Sequence, residues 1–275
     1  MTVEELLEGQ VLCLDKPYQW TSFQAVNKVK SAIRRIYGLK KFKIGHAGTL
    51  DPLATGLLLV CMGKATKTIP SLQDGEKVYT GTMVLGATTP CYDMEQEVDR
   101  LYPTDHITET LIDECRKQFI GDIEQVPPMF SAVKIDGQRA YEYARNDDPT
   151  VTIAPKTIHI EEFEITAIRM HGGSPELPKI VKRENANSAL HLYDNPRCHI
   201  PEGLPQVDFK VRCGKGTYIR SLARDFGLAL GSGAFLSALR REQVGSYTIS
   251  QALTIDKVDT FFESAPLPTS KNTIF

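Results

Sequence analysis

Two spacings of apolar residues alternate along this chain, and the switches between them divide it into elements. A spacing of three to four residues predicts helices. Thr2 to Gly9 is a short one, with Thr2 and Glu5 in capping-box positions and Gly9 closing it. Ser22 to about Tyr37 is longer, N-capped by Ser22 and stopped by Gly38, with Phe23, Val26, Val29, Ile33 and Ile36 on one stripe. Lys64 to Leu72, Thr108 to Phe119, Ala140 to Arg145, Tyr218 to Leu230 and Ala234 to Leu239 complete the predicted helices. Continuous or alternating apolar runs predict strands at Val11 to Leu14, Leu57 to Met62, Lys77 to Leu85, Val126 to Asp136, Lys156 to Ile168, Val207 to Cys213 and Gln243 to Ile249. Asp15-Lys16-Pro17 is expected to be a turn. Helices and hairpin-like strand pairs in irregular order predict an α+β fold with a mainly antiparallel, extended mixed sheet flanked by helices.

Residues 171 to 205 break this patterning, being rich in Gly, Pro, Asn and Ser. They are expected to be an insertion, and their His171, His191, Cys198 and His199 match no metal-ligand spacing. The domain reading is one domain over residues 1–255 carrying that insertion, followed by a C-terminal tail at 256–275. With 275 residues and 41% apolar content the chain can bury a full core. Its six cysteines show no CxxC pair, so neither a disulfide framework nor a zinc finger is predicted. Met1 to Glu8 is acidic and lacks the apolar core of a signal peptide. No apolar run approaches the roughly 20 residues that span a bilayer. A cytoplasmic protein without membrane attachment is expected.

Net charge is −2, which argues against an indiscriminately basic nucleic-acid binder. The distribution changes that picture. Residues 16 to 67 hold ten Lys and Arg against one acid, Asp51, whereas residues 92 to 124 hold ten acids against three bases. A locally basic face on a globally acidic chain suits a polyanion held at one defined surface. Lys40, Lys41 and Lys43 lead straight into KIGHAGTLDPLATG, Lys43 to Gly56, where three glycines surround His46 and Asp51. Pro52 biases Asp51 away from helical geometry, so its carboxylate is expected on an irregular loop fixed against the buried strand that follows. Further candidates are Tyr79 on its strand, Asp93 in the GATTPCYD loop, and Tyr218 and Arg220 behind GKGT, where free backbone N–H groups favour an anion.

GHAGTLDPLATGLL closely resembles the catalytic motif of TruB-type tRNA pseudouridine synthases. Five further blocks resemble that family in its order. They are Leu14-Asp15-Lys16-Pro17 with Thr21-Ser22; Lys77-Val78-Tyr79; Gln125 to Lys134 with Tyr141 to Arg145; Gly214 to Arg220; and Leu239-Arg240-Arg241. The resemblance implies a pseudouridine synthase-like fold and isomerisation of uridine to pseudouridine at position 55, in the T-loop of tRNA, with no cofactor and no metal; a monomer is expected, since one substrate per monomer suffices for this chemistry. It implies that Asp51 is the catalytic aspartate, that Tyr79 stacks on the target base and assists proton abstraction, and that Arg220 pairs with the aspartate. His46 is implied to hold the flipped-out RNA, and Asp93, Tyr218 and Leu239 fall on further pocket positions. Lys16, Lys41 and Lys43 join them as expected RNA contacts. Many bacterial relatives carry a C-terminal PUA domain, and none is expected here. Pro90 stands where the family often has Asp. A guide-dependent H/ACA-type synthase subunit and a tRNA-folding chaperone are the alternatives.

Overall fold

The computed structural model describes residues 2–131, 134–135, 138–140, 143, 153–171 and 198–264. In chain order its elements begin with α1 (Val3–Glu8), β1 (Gln10–Lys16), α2 (Ser22–Tyr37), β2 (Ile44–Ala47), β3 (Thr55–Met62) and α3 (Ile69–Asp74). There follow β4 (Lys77–Leu85), β5 (Ala87–Thr88), β6 (Arg100–Leu101), α4 (Glu109–Arg116), β7 (Gly121–Gln125), β8 (Lys134–Ile135) and β9 (Gln138–Arg139). The last are β10 (Lys156–Arg169), β11 (Gln206–Cys213), α5 (Ile219–Ala229), β12 (Ala234–Val244), β13 (Tyr247–Thr248), β14 (Leu253–Thr254) and α6 (Val258–Glu263). The fold is α+β and the strand pairing mainly antiparallel. Two compact units are present: one takes the described residues up to Gly75 and from Arg241 onward, the other those from Glu76 to Arg240.

The first unit is built on β3, whose eight residues are all buried. Strand alternation sends Leu58, Val60 and Met62 into one core, with Ala25, Val26, Val29 and Ile33 of α2. Leu57 and Leu59 enter a second core with Cys13, Ala47 and Val244. At roughly 1.5–3 kcal/mol per fully buried large apolar side chain, this strand is a main anchor of the unit. β1 pairs with β3 from Gln10↔Met62 to Lys16↔Gly56, so the expected turn at Asp15-Lys16 is strand instead. β2 pairs with β3 from Ile44↔Met62 to Ala47↔Leu59, and β14 joins β1 in parallel.

Thr21, rather than Ser22, is the N-cap of α2: its hydroxyl accepts from Gln24 N while the Gln24 side chain accepts from Thr21 N. Phe23 lies about 100° around the axis from the buried Ser22. It therefore leaves the predicted stripe and is 69% exposed. The expected tail at 256–275 begins with packed structure. Val258 and Phe262 of α6 are buried in the α2 core, and the Tyr37 hydroxyl donates to Phe262 O at 3.2 Å. Asp259 pairs with Lys28 (2.7 Å) and Arg35 (2.9 Å), and Glu263 with Arg35 (3.0 Å). Residues 265–275 lie outside the described residues.

The second unit places the N-terminal part of β12 beside β4, followed by β11, β10 and β7. Val207, Phe209, Val211 and Cys213 of β11 face the core, where Ile112 and Cys115 of α4 and Ile219, Leu222, Ala223 and Phe226 of α5 cover them. Phe119, Phe163, Phe209 and Phe226 meet edge to face, with centroids 5.5–6.3 Å apart. Asp208, Lys210 and Arg212 alternate with the buried positions and are only partly buried.

Three predicted elements are corrected. Ala234 to Leu239 is not a helix but the start of an eleven-residue strand, because a short continuous apolar run has no period to distinguish the two. The strand expected at Gln243 to Ile249 is the end of β12 returning as the short β13. Of the strand expected at Val126 to Asp136, only Lys134–Ile135 is strand among the described residues; β7 stops at Gln125, just before Pro127 and Pro128, which have no N–H for a ladder. Of the helix expected at Ala140 to Arg145, only Ala140 and Tyr143 are described, both helical. Most of the 171–205 insertion, residues 172–197, lies outside the described residues.

Candidate active site

Asp51 opens a β-turn of sequence Asp-Pro-Leu-Ala, in which Ala54 N donates to Asp51 O at 3.1 Å and Pro52 supplies the fixed φ of the second position. The carboxylate-bearing residue is half-buried. Its neighbours on both sides are held through their main chains by buried side chains. Ser22 Oγ accepts from Leu50 N (2.9 Å) and donates to Leu50 O (3.1 Å). Lys16 Nζ donates to Pro52 O (3.2 Å), Trp20 O (2.6 Å) and Pro17 O (3.1 Å). Behind the loop, Arg241 Nε donates to Leu57 O (2.8 Å) and Nη2 to Gly48 O (3.0 Å).

This geometry bears on two candidate residues. Lys16 is 0% exposed and its ammonium donates to three carbonyls, which places it as a clamp on the loop. His46 is not on the loop but on β2, in register with Val60. Burial, reinforced by the positive charge of Arg241 and opposed by a backbone hydrogen bond at Gly48, holds its imidazole below the ordinary value. The shift favours the neutral ring over the cation. Lys41 and Lys43 are exposed, whereas Lys28 and Arg35 of the same basic stretch are engaged with Asp259 and Glu263.

The second unit brings together Asp93 and Arg220 and carries Tyr79, Tyr218 and Leu239. Arg220, in the first turn of α5, is 5% exposed. Its Nη1 donates to Cys91 O (3.1 Å) and Nη2 to Phe130 O (2.8 Å), and its Nε lies 3.7 Å from Asp93 Oδ2. Asp93, itself 6% exposed, also accepts from Glu95 N at 2.9 Å, so this buried ion pair has hydrogen-bond support. Tyr218 occupies the N-cap of α5 without a side-chain cap. Its N–H donates to Gln125 Oε1 (2.8 Å) and its C=O accepts from Gln125 Nε2 (3.2 Å), so Gln125 holds the chain where it enters α5. Tyr79 on β4 and Leu239 on β12 are partly buried against the aromatic core.

Sequence reasoning missed Ser22 as a loop clasp, Gln125 as the side chain that holds the backbone of Tyr218 ahead of α5, and the buried Arg241. Only Arg241 had a signal, as the end of the Leu239-Arg240-Arg241 block. Among the described residues, no cluster of His, Cys, Asp and Glu is placed to hold a metal ion. No helix among them is long and apolar enough to cross a membrane.

Comparison with known proteins agrees with the motif reading. The family model described as TruB family pseudouridylate synthase (N terminal domain) matches residues 34–219, and that of the tRNA pseudouridylate synthase B C-terminal domain matches residues 220–266. The chain is 50% identical over 266 residues to a Flavobacterium johnsoniae protein named tRNA pseudouridine synthase B, covering 96% of this chain and 99% of that one. It is 45% identical to the Phocaeicola vulgatus protein of the same name, covering 90% and 91% of the two chains. Among solved structures, a Cbf5–Nop10–Gar1 complex matches with a TM-score of 0.60 and 28% identity over 94% of this chain, which spans 56% of the length of that one. The chain thus belongs to the TruB family of pseudouridylate synthases.

Proposed function

We propose that this protein isomerises uridine to pseudouridine at position 55, in the T-loop of tRNA, with Asp51 as its catalytic carboxylate. The observation that carries the reading is Asp51 itself: the acid of the family motif, on a turn whose flanking residues Leu50 and Pro52 are held by buried Ser22 and Lys16. Near full-length identity to proteins named tRNA pseudouridine synthase B supports tRNA as the substrate.

The reaction breaks the C1′–N1 glycosidic bond, turns the uracil and forms a C1′–C5 bond. N1 gains a proton and C5 loses one, so atoms balance without a redox partner. Asp51 acts as an anion in either available route, as nucleophile at C1′ or as base at C2′. Arg220 is proposed as its countercharge, which favours the ionised form. The uridine must leave its stack, at a cost of a few kcal/mol, and Tyr79 is proposed as the aromatic surface that receives it and assists removal of the C5 proton. The neutral ring of His46 would hold the opened RNA by packing and hydrogen bonding. Asp93, Tyr218 and Leu239 are proposed to line the base pocket, and the exposed Lys41 and Lys43 to meet phosphates.

The test is incubation with an unmodified tRNA transcript and mapping of pseudouridine by carbodiimide chemistry. The parent protein is expected to give product at position 55, and Asp51→Asn to lower the rate by at least about 10³-fold, roughly 4 kcal/mol in barrier. Product formed equally by both proteins would remove Asp51 from the mechanism. A chaperone acting by binding alone would give no product from either. The fold likeness to the Cbf5 complex keeps a guide-dependent subunit in view. Product formed without any guide RNA distinguishes the stand-alone enzyme.

A further inference from the structure

Arg241 is the largest fully buried side chain among the described residues, 1% exposed, and a charged group so placed calls for a reason. Its described partners are two main-chain carbonyls. Nε donates to Leu57 O and Nη2 to Gly48 O. These two nitrogens lie along one edge of the planar guanidinium, so a single rigid group holds side by side two carbonyls nine residues apart in the chain. The loop between them carries Asp51. The backbone of Arg241 belongs to the same contact. Gly56 has φ +102° and lies so close that a Cβ there would sit 2.3 Å from Arg241 O. At the other end, Gly48 has φ +85°, and a Cβ there would stand 3.4 Å from Nη1. Both ends of the loop are therefore shaped around this residue. Lys16 and Ser22 act nearer the tip, on Pro52 and Leu50.

We propose that Arg241 is a positioning residue of the reaction, closing the base of the 48–57 loop and so fixing where the Asp51 carboxylate meets the target nucleotide. This rests on Asp51 being the catalytic carboxylate. A loop whose ends are pinned to one planar group has little freedom to translate as a unit, and a displacement of about 1 Å at a reacting atom is worth on the order of 10²-fold in rate. Taking a guanidinium out of water costs free energy that hydrogen bonds to neutral carbonyls only partly return, so its burial here is better explained by the loop geometry it enforces than by stability.

The experiment compares three variants on the same tRNA transcript. Arg241→Met retains the apolar stem and removes the donors. Arg241→Lys keeps the charge but has no planar edge to serve both carbonyls. Arg241→Ala leaves a space the size of the missing group. We expect kcat to fall about 100-fold in Met and about 10-fold in Lys, with KM for tRNA within about threefold of the parent. Millimolar guanidinium ion is expected to restore part of the Ala activity, which general loss of structure would not allow. If Met does not fold, the Lys variant and the rescue of Ala carry the decision. Parent-like kcat in Lys and in whichever other variant folds overturns the proposal, as does a loss confined to KM. Active Asp51→Asn protein, by contrast, would remove the catalytic reading beneath it, a result distinct from any seen with Arg241.

Discussion

Around Asp51, charged and hydroxyl side chains turn inward and hold backbone; on the outer face of β10 and β11 the same residue types turn to water and hold one another. Lys16 and Arg241 are 0% and 1% exposed, and their described bonds go to carbonyls on both sides of the loop. In the second unit, Arg169 pairs with Asp208, Lys210 with Glu162, and Arg212 with Glu76, each partner between roughly a third and a half exposed. The surface pairs can be exchanged for water at little cost, and many residues would serve in their place. The buried donors are harder to replace, because the carbonyls they leave behind are buried or part-buried and poorly reached by water. A cation is thus a poor guide to binding surface until its burial is known.

Lys16→Met is the strongest test of this contrast. It keeps the apolar stem and withdraws donors from Pro17, Trp20 and Pro52 carbonyls. With a desolvation penalty of about 1–3 kcal/mol for an unsatisfied buried group, a total loss of about 3 kcal/mol in unfolding free energy is expected, measured by urea denaturation. A loss below about 1 kcal/mol would put Lys16 in the same class as the surface pairs and dissolve the comparison.

A smaller effect separates His46 from the surface titrating groups. Its imidazole is held below its ordinary value chiefly by burial, so on acidification the unfolded chain takes up a proton before the folded protein does. Stability therefore declines once pH falls below about 6.5 and goes on declining until the folded value is passed. His46→Gln is expected to lack that share of the decline. Urea midpoints for parent and variant, followed from pH 7.5 to 5.5, should converge or cross, and parallel curves would show that His46 is not penalised by protonation.

What could be read from the sequence divides along the same line as the two regions. β4 was read at its full extent, and β3 and β11 nearly so, because apolar runs and alternation report burial directly. The capping box at Thr2 was legible because it is local. The Asp51 loop was visible through glycine, proline and one acid, but what holds it was not: Ser22, Lys16 and Arg241 reach it from distant parts of the chain, and burial of a lysine leaves no local mark. Ala234 to Leu239 failed for want of period, and α6 because its two buried residues, Val258 and Phe262, make a single helical turn too short to stand out. The hold of Gln125 on the Tyr218 backbone, just ahead of α5, depends on a partner 93 residues away and carried no signal.

The smallest expected effect comes from the best-formed surface pair. Arg169 grips Asp208 with both Nη atoms, at 2.6 and 2.7 Å, and Thr82 Oγ1 donates to the same carboxylate at 2.7 Å. The hydrogen bond from Arg169, partly offset by burial and helped by Thr82, holds the Asp208 carboxyl below the usual range. Its stabilisation is therefore complete above the unfolded value of about 3.9 and is lost as pH falls through the lower folded value. Partial exposure and solvent screening limit it to about 1 kcal/mol. Asp208→Asn should accordingly lose about that much at pH 7, and the gap between parent and variant should close as pH is lowered past the folded value, with tRNA modification unchanged throughout. A loss comparable to that of Lys16→Met, or one that persists in acid, would mean that the outer face of the sheet carries buried-type bonding after all.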